Sequence, residues 1–235
     1  MNRLIATFKL DVTVQWRNRL YAIGIGLSLL MALGLSQFVA REALIQTIPL
    51  LFLFAVSGTT MLYVAGLVIF EKDEHTLEAV IVTPVRTDEY ILSKVVTLTW
   101  LALLESLVVL VLTYGIGTYN ILPMLAGIIL MGIMLTLGGF VMIVRYNSIT
   151  DFLVPVVAVN LVLQLPALYF TGTSDSLLWL LIPTSAPTML MWSTWHPVEM
   201  WQLIYGVVYS AIIIAVLYRW ALVAFHKYII LKERN

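Results

Sequence analysis

Six long apolar segments constrain the fold of this chain more than any other feature. An α-helix needs about 20 apolar residues to cross the hydrocarbon core of a bilayer. The segments of about this length cover residues 20–39, 48–70, 95–114, 121–144, 152–171 and 203–225. Because backbone polar groups in lipid must be satisfied within the segment, each is predicted to be a helix. The sequence therefore predicts an all-α integral membrane protein, with six transmembrane helices in one domain of residues 1–235.

The composition supports a membrane protein and excludes several other classes. Hydrophobic residues make up 61% of the chain and charged residues 11%, roughly half the charged share of a soluble domain. The formal net charge is +0, so the charge balance does not favour a nucleic-acid partner. The chain has no cysteine, which excludes disulfides, thiolate metal sites and a cysteine nucleophile. Its three histidines are scattered, so no metal site is expected.

The distribution of Lys and Arg predicts the orientation in the membrane. If the N-terminus is cytoplasmic, 12 of the 13 basic residues fall on the cytoplasmic side and only Arg41 falls outside. The cytoplasmic set is Arg3, Lys9, Arg17, Arg19, Lys72, Arg86, Lys94, Arg145, Arg219, Lys227, Lys232 and Arg234. Positive charge is retained on the cytoplasmic face. We therefore expect both termini to be cytoplasmic in a multi-pass protein of the plasma membrane.

Two further segments are apolar but do not span. Before the first span, residues 1–19 contain an apolar arc of Leu4, Ile5, Phe8, Val12 and Trp16, which predicts an amphipathic interfacial helix. The alternative is a basic flank that only sets the topology. The external loop of residues 172–200 has three prolines and no Lys or Arg. Its short apolar pieces, Leu177–Ile182 and Thr188–Trp192, predict re-entrant or interfacial helices before the sixth span, or alternatively an ordinary aromatic belt.

A charged insert, residues 71–94, separates the second and third spans. It holds nine of the 26 charged side chains of the chain. Residues 71–82 favour a short amphipathic helix, and Pro84 forces Thr83 away from helical angles. A second helix is predicted from Thr87, with acidic residues in its first turn, and it continues into the third span. The insert therefore has the shape of a lever, although a solvated hairpin without a partner is the simpler alternative.

The insert resembles the coupling segment of type-2 ABC exporter permeases. The resemblance is carried by Glu71-Lys72-Asp73, Thr76-Leu77-Glu78, Thr83-Pro84, Glu89-Tyr90 and Lys94. His75 and Ser93 stand where that family usually has glycine. The number of spans, the cytoplasmic N-terminus, the amphipathic first helix and the broken loop before the last span are also similar to the family pattern over nearly the full length.

This resemblance implies a transport subunit rather than an enzyme. Such permeases pair with a second copy or a paralogue in the lipid membrane and bind two ABC ATPase subunits through the coupling segment. ATP and Mg would be held by the ATPase, and no cofactor is expected in this chain, which has no G-x-x-x-x-G-K-[ST] loop. The residues that the resemblance assigns to ATPase coupling are Glu71, Asp73, Thr76, Leu77, Glu78, Pro84 and Glu89. The cargo would be a drug, peptide, lipid or glycan moved out of the cytoplasm.

Three polar side chains inside the spans are candidates for the substrate path. Glu105 is the only acidic residue within the six segments, and an ionised carboxylate there must be paired, neutralised or hydrated. Its functional interpretation is a cation-binding or proton-sensitive point, and its structural one is a neutral hydrogen bond between helices. Asn160 and Gln164 lie one turn apart on the fifth span, where hydrogen bonds between helices are the simpler role.

Two other functions are compatible with the sequence. A proton-coupled secondary transporter could use Glu105, although such proteins usually show internal repeats and several intramembrane charges. A membrane scaffold could recruit a cytoplasmic protein through the insert, but it would need neither Glu105 nor a broken external loop. An associated ATPase would distinguish the exporter from both.

Overall fold

The computed structural model describes residues 2–74, 86–115, 117 and 119–230, and these form helices with no strand among them. The segment of residues 75–85 lies outside the described residues. The α-helices are α1 (Asn2–Arg17), α2 (Leu20–Phe38), α3 (Arg41–Asp73), α4 (Thr87–Thr113), α5 (Ile121–Ile143), α6 (Ile149–Gln164), α7 (Ala167–Phe170), α8 (Ser185–Trp192) and α9 (Met200–Phe225). A 3₁₀ turn covers Leu177–Leu181, and α9 ends in a π-helical turn, His226–Ile230.

Six of the described helical segments are long and apolar enough to cross a membrane, which confirms the predicted fold class. They are α2, α3, α4, α5, α6 continued by α7, and α9 with its π-helical turn. Helices α3, α4 and α5 form the centre of the bundle, and their facing sides are almost fully buried. Helices α2, α6 and α9 lie outside them and leave most of their apolar side chains on the surface, as expected for helices in contact with lipid.

The helices flanking the charged insert are longer than the predicted spans. Helix α3 has 33 residues and α4 has 27, so they measure about 50 Å and 40 Å at 1.5 Å per residue. Both exceed the roughly 30 Å of a hydrocarbon core. The limits predicted from hydropathy mark only the apolar part of each helix. The polar ends of the two helices continue beyond that part and form the two ends of the insert.

The fifth span, predicted over residues 152–171, is one segment of residues 149–170 with a short interruption near its end. Helix α6 ends at Gln164, and the short α7 begins at Ala167 after Pro166. Proline has no N–H for the helical ladder and clashes with the preceding turn, so a helix ends or kinks there. The Thr184 hydroxyl donates to the Leu163 carbonyl, and this bond joins the broken segment to the region preceding α8.

The loop of residues 172–200 places one short helix inside the bundle. Helix α8 is buried along most of its length and packs between α5 and α9. Two glycines allow this approach: a Cβ added at Gly127 would lie 2.6 Å from the Pro187 carbonyl oxygen, and one at Gly206 would lie 2.7 Å from Leu190 Cδ2. The Leu177–Leu181 turn instead exposes Leu177, Leu178 and Leu181. Only the second of the two predicted apolar pieces is therefore inserted between the spans.

The two ends of the bundle differ in their chemistry. At one end, which we call the α1 end, Lys72 Nζ of α3 donates to the carbonyl oxygens of Val144 and Tyr146 at 3.1 Å and 2.6 Å. The last part of α9 reaches the same end, where the Tyr218 hydroxyl lies 3.3 Å from the carboxylate of Asp88. The opposite end contains an aromatic cluster of Tyr114, Tyr119 and Trp195, with Arg41 over the Tyr114 ring.

Candidate functional site

A buried group of ionised and hydroxyl side chains lies at the α1 end, and we call it the polar cluster: Asp11, Glu71, Tyr90, Ser93 and Lys94. Lys94 Nζ contacts Asp11 Oδ1 at 3.0 Å and Glu71 Oε1 at 2.5 Å. The Lys94 and Asp11 side chains are 1% and 3% exposed, so this is an interior ion-pair network. One ammonium serves two carboxylates, and the remaining carboxylate oxygens need other donors.

Hydroxyl groups supply those donors. The Tyr90 hydroxyl donates to Glu71 Oε2 at 2.5 Å, and the Ser93 hydroxyl donates to Asp11 Oδ2. Lys94 Nζ also lies 4.4 Å from the centroid of the Tyr90 ring, a favourable position for a cation. Buried charges are tolerated when they are both paired and hydrogen-bonded, and the cluster meets both conditions. It joins α1, the end of α3 and the start of α4.

Helix α1 is held against α4 by its polar side. Four residues after Asp11, the Gln15 amide donates to Thr97 Oγ1 at 2.7 Å, so two successive turns of α1 contact two successive turns of α4. Apolar side chains of α1 face outward, with Ile5 46% and Trp16 73% exposed. A helix with a polar inner side and an apolar outer side suits a position at the edge of a bilayer. The predicted amphipathic helix is present.

The base of the charged insert has further polar contacts. Arg17 at the end of α1 forms an exposed ion pair of 2.6 Å with Glu74, directly after α3. The Glu89 carboxylate accepts from the Arg86 backbone N–H at 3.0 Å and caps the start of α4. Both ends of the insert are therefore attached to the bundle, one through Glu71 and Glu74 and the other through the start of α4.

The residues predicted to couple to an ATPase fall into three groups. Asp73 is exposed at the end of α3. The Glu71 carboxylate points into the polar cluster, and the Glu89 carboxylate caps the start of α4. These two residues therefore anchor the ends of the insert. Thr76, Leu77, Glu78 and Pro84 lie outside the described residues.

Glu105 lies where α2, α3 and α4 meet. It is 8% exposed, and its carboxylate lies beside the Tyr63 hydroxyl, although Oε1 makes no hydrogen bond of good geometry to any described residue. The carboxylate fits against the backbone of Gly24 on α2: a Cβ there would lie 1.9 Å from Glu105 Oε1 and 3.1 Å from the Tyr63 hydroxyl. Only glycine leaves room for this side chain. Glu105 therefore contacts two neighbouring helices without a complete set of hydrogen bonds.

Asn160 belongs to a different part of the bundle. Its amide nitrogen donates to the Val156 carbonyl at 3.1 Å and lies 3.5 Å from the Met61 sulfur of α3. Met61 and Tyr63 are two residues apart, or about 200° around a helix, so Asn160 and Glu105 contact opposite sides of α3. Gln164 is half-buried at the end of α6. The three proposed substrate-path residues do not converge on one site.

The comparison with known proteins identifies the family. The model of the fluoroquinolones export permease protein family matches residues 2–233. The chain belongs to this family. It is also similar to the fluoroquinolones export permease proteins of Mycobacterium tuberculosis strains CDC 1551 / Oshkosh and ATCC 25618 / H37Rv, with 31% identity over 234 residues that cover 98% of this chain and 98% of each relative. The match includes the six spans and both ends of the charged insert.

Family membership agrees with the resemblance to type-2 ABC permeases and establishes a multi-pass membrane permease for export. Sequence reasoning did not find the polar cluster, because it assigned Glu71, Tyr90 and Lys94 to the coupling motif and gave Asp11 no role. One signal was available: Asp11 and Gln15 are one turn apart on α1, and Ser93, Lys94 and Thr97 are polar positions at the start of an apolar span.

Proposed function

We propose that this permease is the membrane subunit of an ATP-driven exporter and that its α1 end faces the cytoplasm of the cell that bears it in the plasma membrane. The proposal is supported by the attachment of the charged insert: in a chain of the export permease family, ion pairs join both ends of the insert to α1. Twelve of the 13 basic residues belong to segments assigned to this end, which favours the cytoplasmic side.

ATP hydrolysis is assigned to a separate polypeptide. The chain has no phosphate-binding loop of the Walker type, so ATP and Mg would be bound by the ATPase. Two ATPase subunits and two permease subunits, either identical or paralogous, make the complete exporter. Asp73 and the residues that follow it, including Thr76, Leu77, Glu78 and Pro84, form the docking surface. Glu71 and Glu89 support this surface from its two ends, Glu71 by its contact with Lys94 and Glu89 by capping the start of α4.

The cargo is proposed from the relatives. Both are named for the export of fluoroquinolones, and we assign the same class of drug to this permease. The test is ATP-dependent accumulation of a fluoroquinolone in inside-out membrane vesicles that contain the permease and the ATPase that co-purifies with it. Accumulation should need both proteins and ATP. Equal accumulation in vesicles with the permease and no ATPase would instead favour a secondary transporter.

Docking has its own test. Leu77→Asp replaces an apolar residue of the predicted amphipathic segment by a charge, and Glu78→Arg reverses the charge of the next residue in the sequence. Both variants should reduce the amount of ATPase retained by affinity-purified permease. Asp175→Arg, in the loop at the opposite end, is the matched control and should retain the wild-type amount. Full retention of the ATPase by both insert variants would contradict the docking surface.

A further inference from the structure

A crevice between α2 and α3 opens on the half of the bundle nearer the opposite end. It has a volume of about 460 Å³. Its lining residues are Met31, Gln46, Thr47, Leu50, Leu51 and Phe54. Helix α2 packs mainly on α4 and only lightly on α3, which explains why a gap exists here. The crevice is therefore mostly apolar, with two neutral polar side chains on its wall.

A second, much smaller cavity adjoins the crevice deeper in the bundle. The two share Met31 and Leu51 as lining residues, and the inner one has a volume of about 20 Å³ beside Glu105 and Ser106. A space of this size holds about one water molecule or a group of similar size. Among the described residues that line either cavity, Glu105 alone is charged.

Polar atoms around the inner cavity lack protein partners of good geometry. Glu105 Oε1 and the Ser106 hydroxyl are buried and make no hydrogen bond of good geometry among the described residues, and the nearest donor to the carboxylate is the Tyr63 hydroxyl outside the cavity. Glu105 is more than nine-tenths buried, and an unpaired carboxylate at membrane depth is costly. A small, mostly apolar pocket with one buried acid and the Ser106 hydroxyl is suited to a small cationic group that can donate hydrogen bonds.

We propose that the crevice and the inner cavity together bind an amphiphilic amine. Its ammonium group occupies the inner cavity and donates to the Glu105 carboxylate, with the Ser106 oxygen as a further acceptor. Its apolar body lies in the outer crevice against Met31, Leu50, Leu51 and Phe54. The two compartments match the two parts of such a molecule in size and polarity. This inference rests on the proposed export function and specifies the charge class of its substrates.

The experiment uses a matched pair of fluorescent ligands and needs no ATPase. Monodansylcadaverine carries a primary ammonium, and its N-acetyl derivative has the same dansyl body without the charge. Binding of each is measured by dansyl fluorescence with the full-length permease in lipid nanodiscs, after subtraction of the signal from empty nanodiscs. The wild-type protein should bind the amine saturably and at least about tenfold more tightly than the acetylated compound, the value of one charge-assisted hydrogen bond.

Three variants test the assignment of the site. Glu105→Gln keeps the size of the side chain and should bring the affinity for the amine down to that for the acetylated ligand. Gly24→Ala keeps the acid but forces its carboxylate to move, because the added Cβ would lie 1.9 Å from Oε1, and it should also weaken amine binding. Asp151→Asn removes an exposed acid at the start of α6 and should change nothing. Thermal stability in detergent is measured for all three to identify misfolded protein.

Two results would overturn the proposal. The first is equal affinity of the wild-type protein for the amine and its acetylated form. The second is unchanged amine binding by folded Glu105→Gln, which would mean that the inner cavity holds water only. Neither result affects ATPase retention or ATP-dependent drug accumulation, so failure of this site can be distinguished from failure of the proposed function.

Discussion

Replacing Lys94 by methionine tests the energetic role of the polar cluster. The change keeps the apolar length of the side chain but removes the ammonium that pairs with both Asp11 and Glu71. Two charge-assisted hydrogen bonds are lost, each worth about 1.5–3 kcal/mol. The sum agrees with the roughly 3–5 kcal/mol expected when one partner of a buried ion pair is removed. For a chain of this size, that corresponds to a decrease of roughly 6–20 °C in Tm.

The assay is thermal unfolding of the purified permease in detergent, followed by loss of the monodisperse peak on size-exclusion chromatography. Lys9→Met is the matched control, because Lys9 is an exposed lysine on α1, and its Tm should stay near that of the wild type. A second comparison measures the coupling: Asp11→Asn should cost less in the Lys94→Met background than in the wild type, since its partner is already absent. A decrease no larger than that of Lys9→Met, or additive effects of Asp11→Asn and Lys94→Met, would refute the role of the ion pair.

Three other contacts make testable predictions. Gly127→Ala should destabilise the protein by about 1–3 kcal/mol, because its Cβ would lie 2.6 Å from the Pro187 carbonyl oxygen. Gly26→Ala, whose Cβ would have no atom within 4 Å, is the control in the same thermal assay. Equal Tm values for the two variants would contradict the close packing of α8 against α5. Thr184→Val should cost about 1–3 kcal/mol by leaving the Leu163 carbonyl without its donor, whereas the exposed Thr171→Val should cost less. The chain has no cysteine, so pairs of introduced cysteines can be cross-linked selectively. A short bifunctional thiol reagent should link the two helices in the double variant Gln15→Cys, Thr97→Cys but not in Trp16→Cys, Thr97→Cys. The reverse pattern would show that a different side of α1 faces α4.

The span count followed from hydropathy because the bilayer itself imposes the length of an apolar run. Six segments of about 20 residues leave few other folds possible, and the family match agrees. The helix ends were harder to predict. Hydropathy stops at Phe70 and restarts at Val95, whereas α3 continues to Asp73 and α4 begins at Thr87. The start at Thr87 followed instead from the acidic first turn after Pro84, because helical backbone bonds and the cap at Glu89 do not depend on contact with lipid.

The polar cluster could not be located from the sequence because its members are far apart in the chain. Asp11 and Lys94 are separated by 83 positions, and the polar positions of α1 and α4 do not by themselves show that these two helices pair. Glu71 and Lys94 also belong to the motif that resembles a coupling segment, and Lys94 counts among the topological charges as well. The break at Pro166 was visible in the sequence, but hydropathy alone does not distinguish a continuous span from a helix interrupted inside the bundle.

Lys94 and Glu105 share one face of α4. They are eleven residues apart, which is close to three helical turns and about 16 Å along the axis. Lys94 contacts α1 and the end of α3, while Glu105 contacts Gly24 of α2 and approaches Tyr63 of α3. The same face of α4 thus joins the base of the charged insert to the buried carboxylate between the spans. A shift of α4 along its axis by one turn would break the contacts at both levels, because each depends on a single lysine or a single glycine. The two polar sites are therefore carried by one face of one helix.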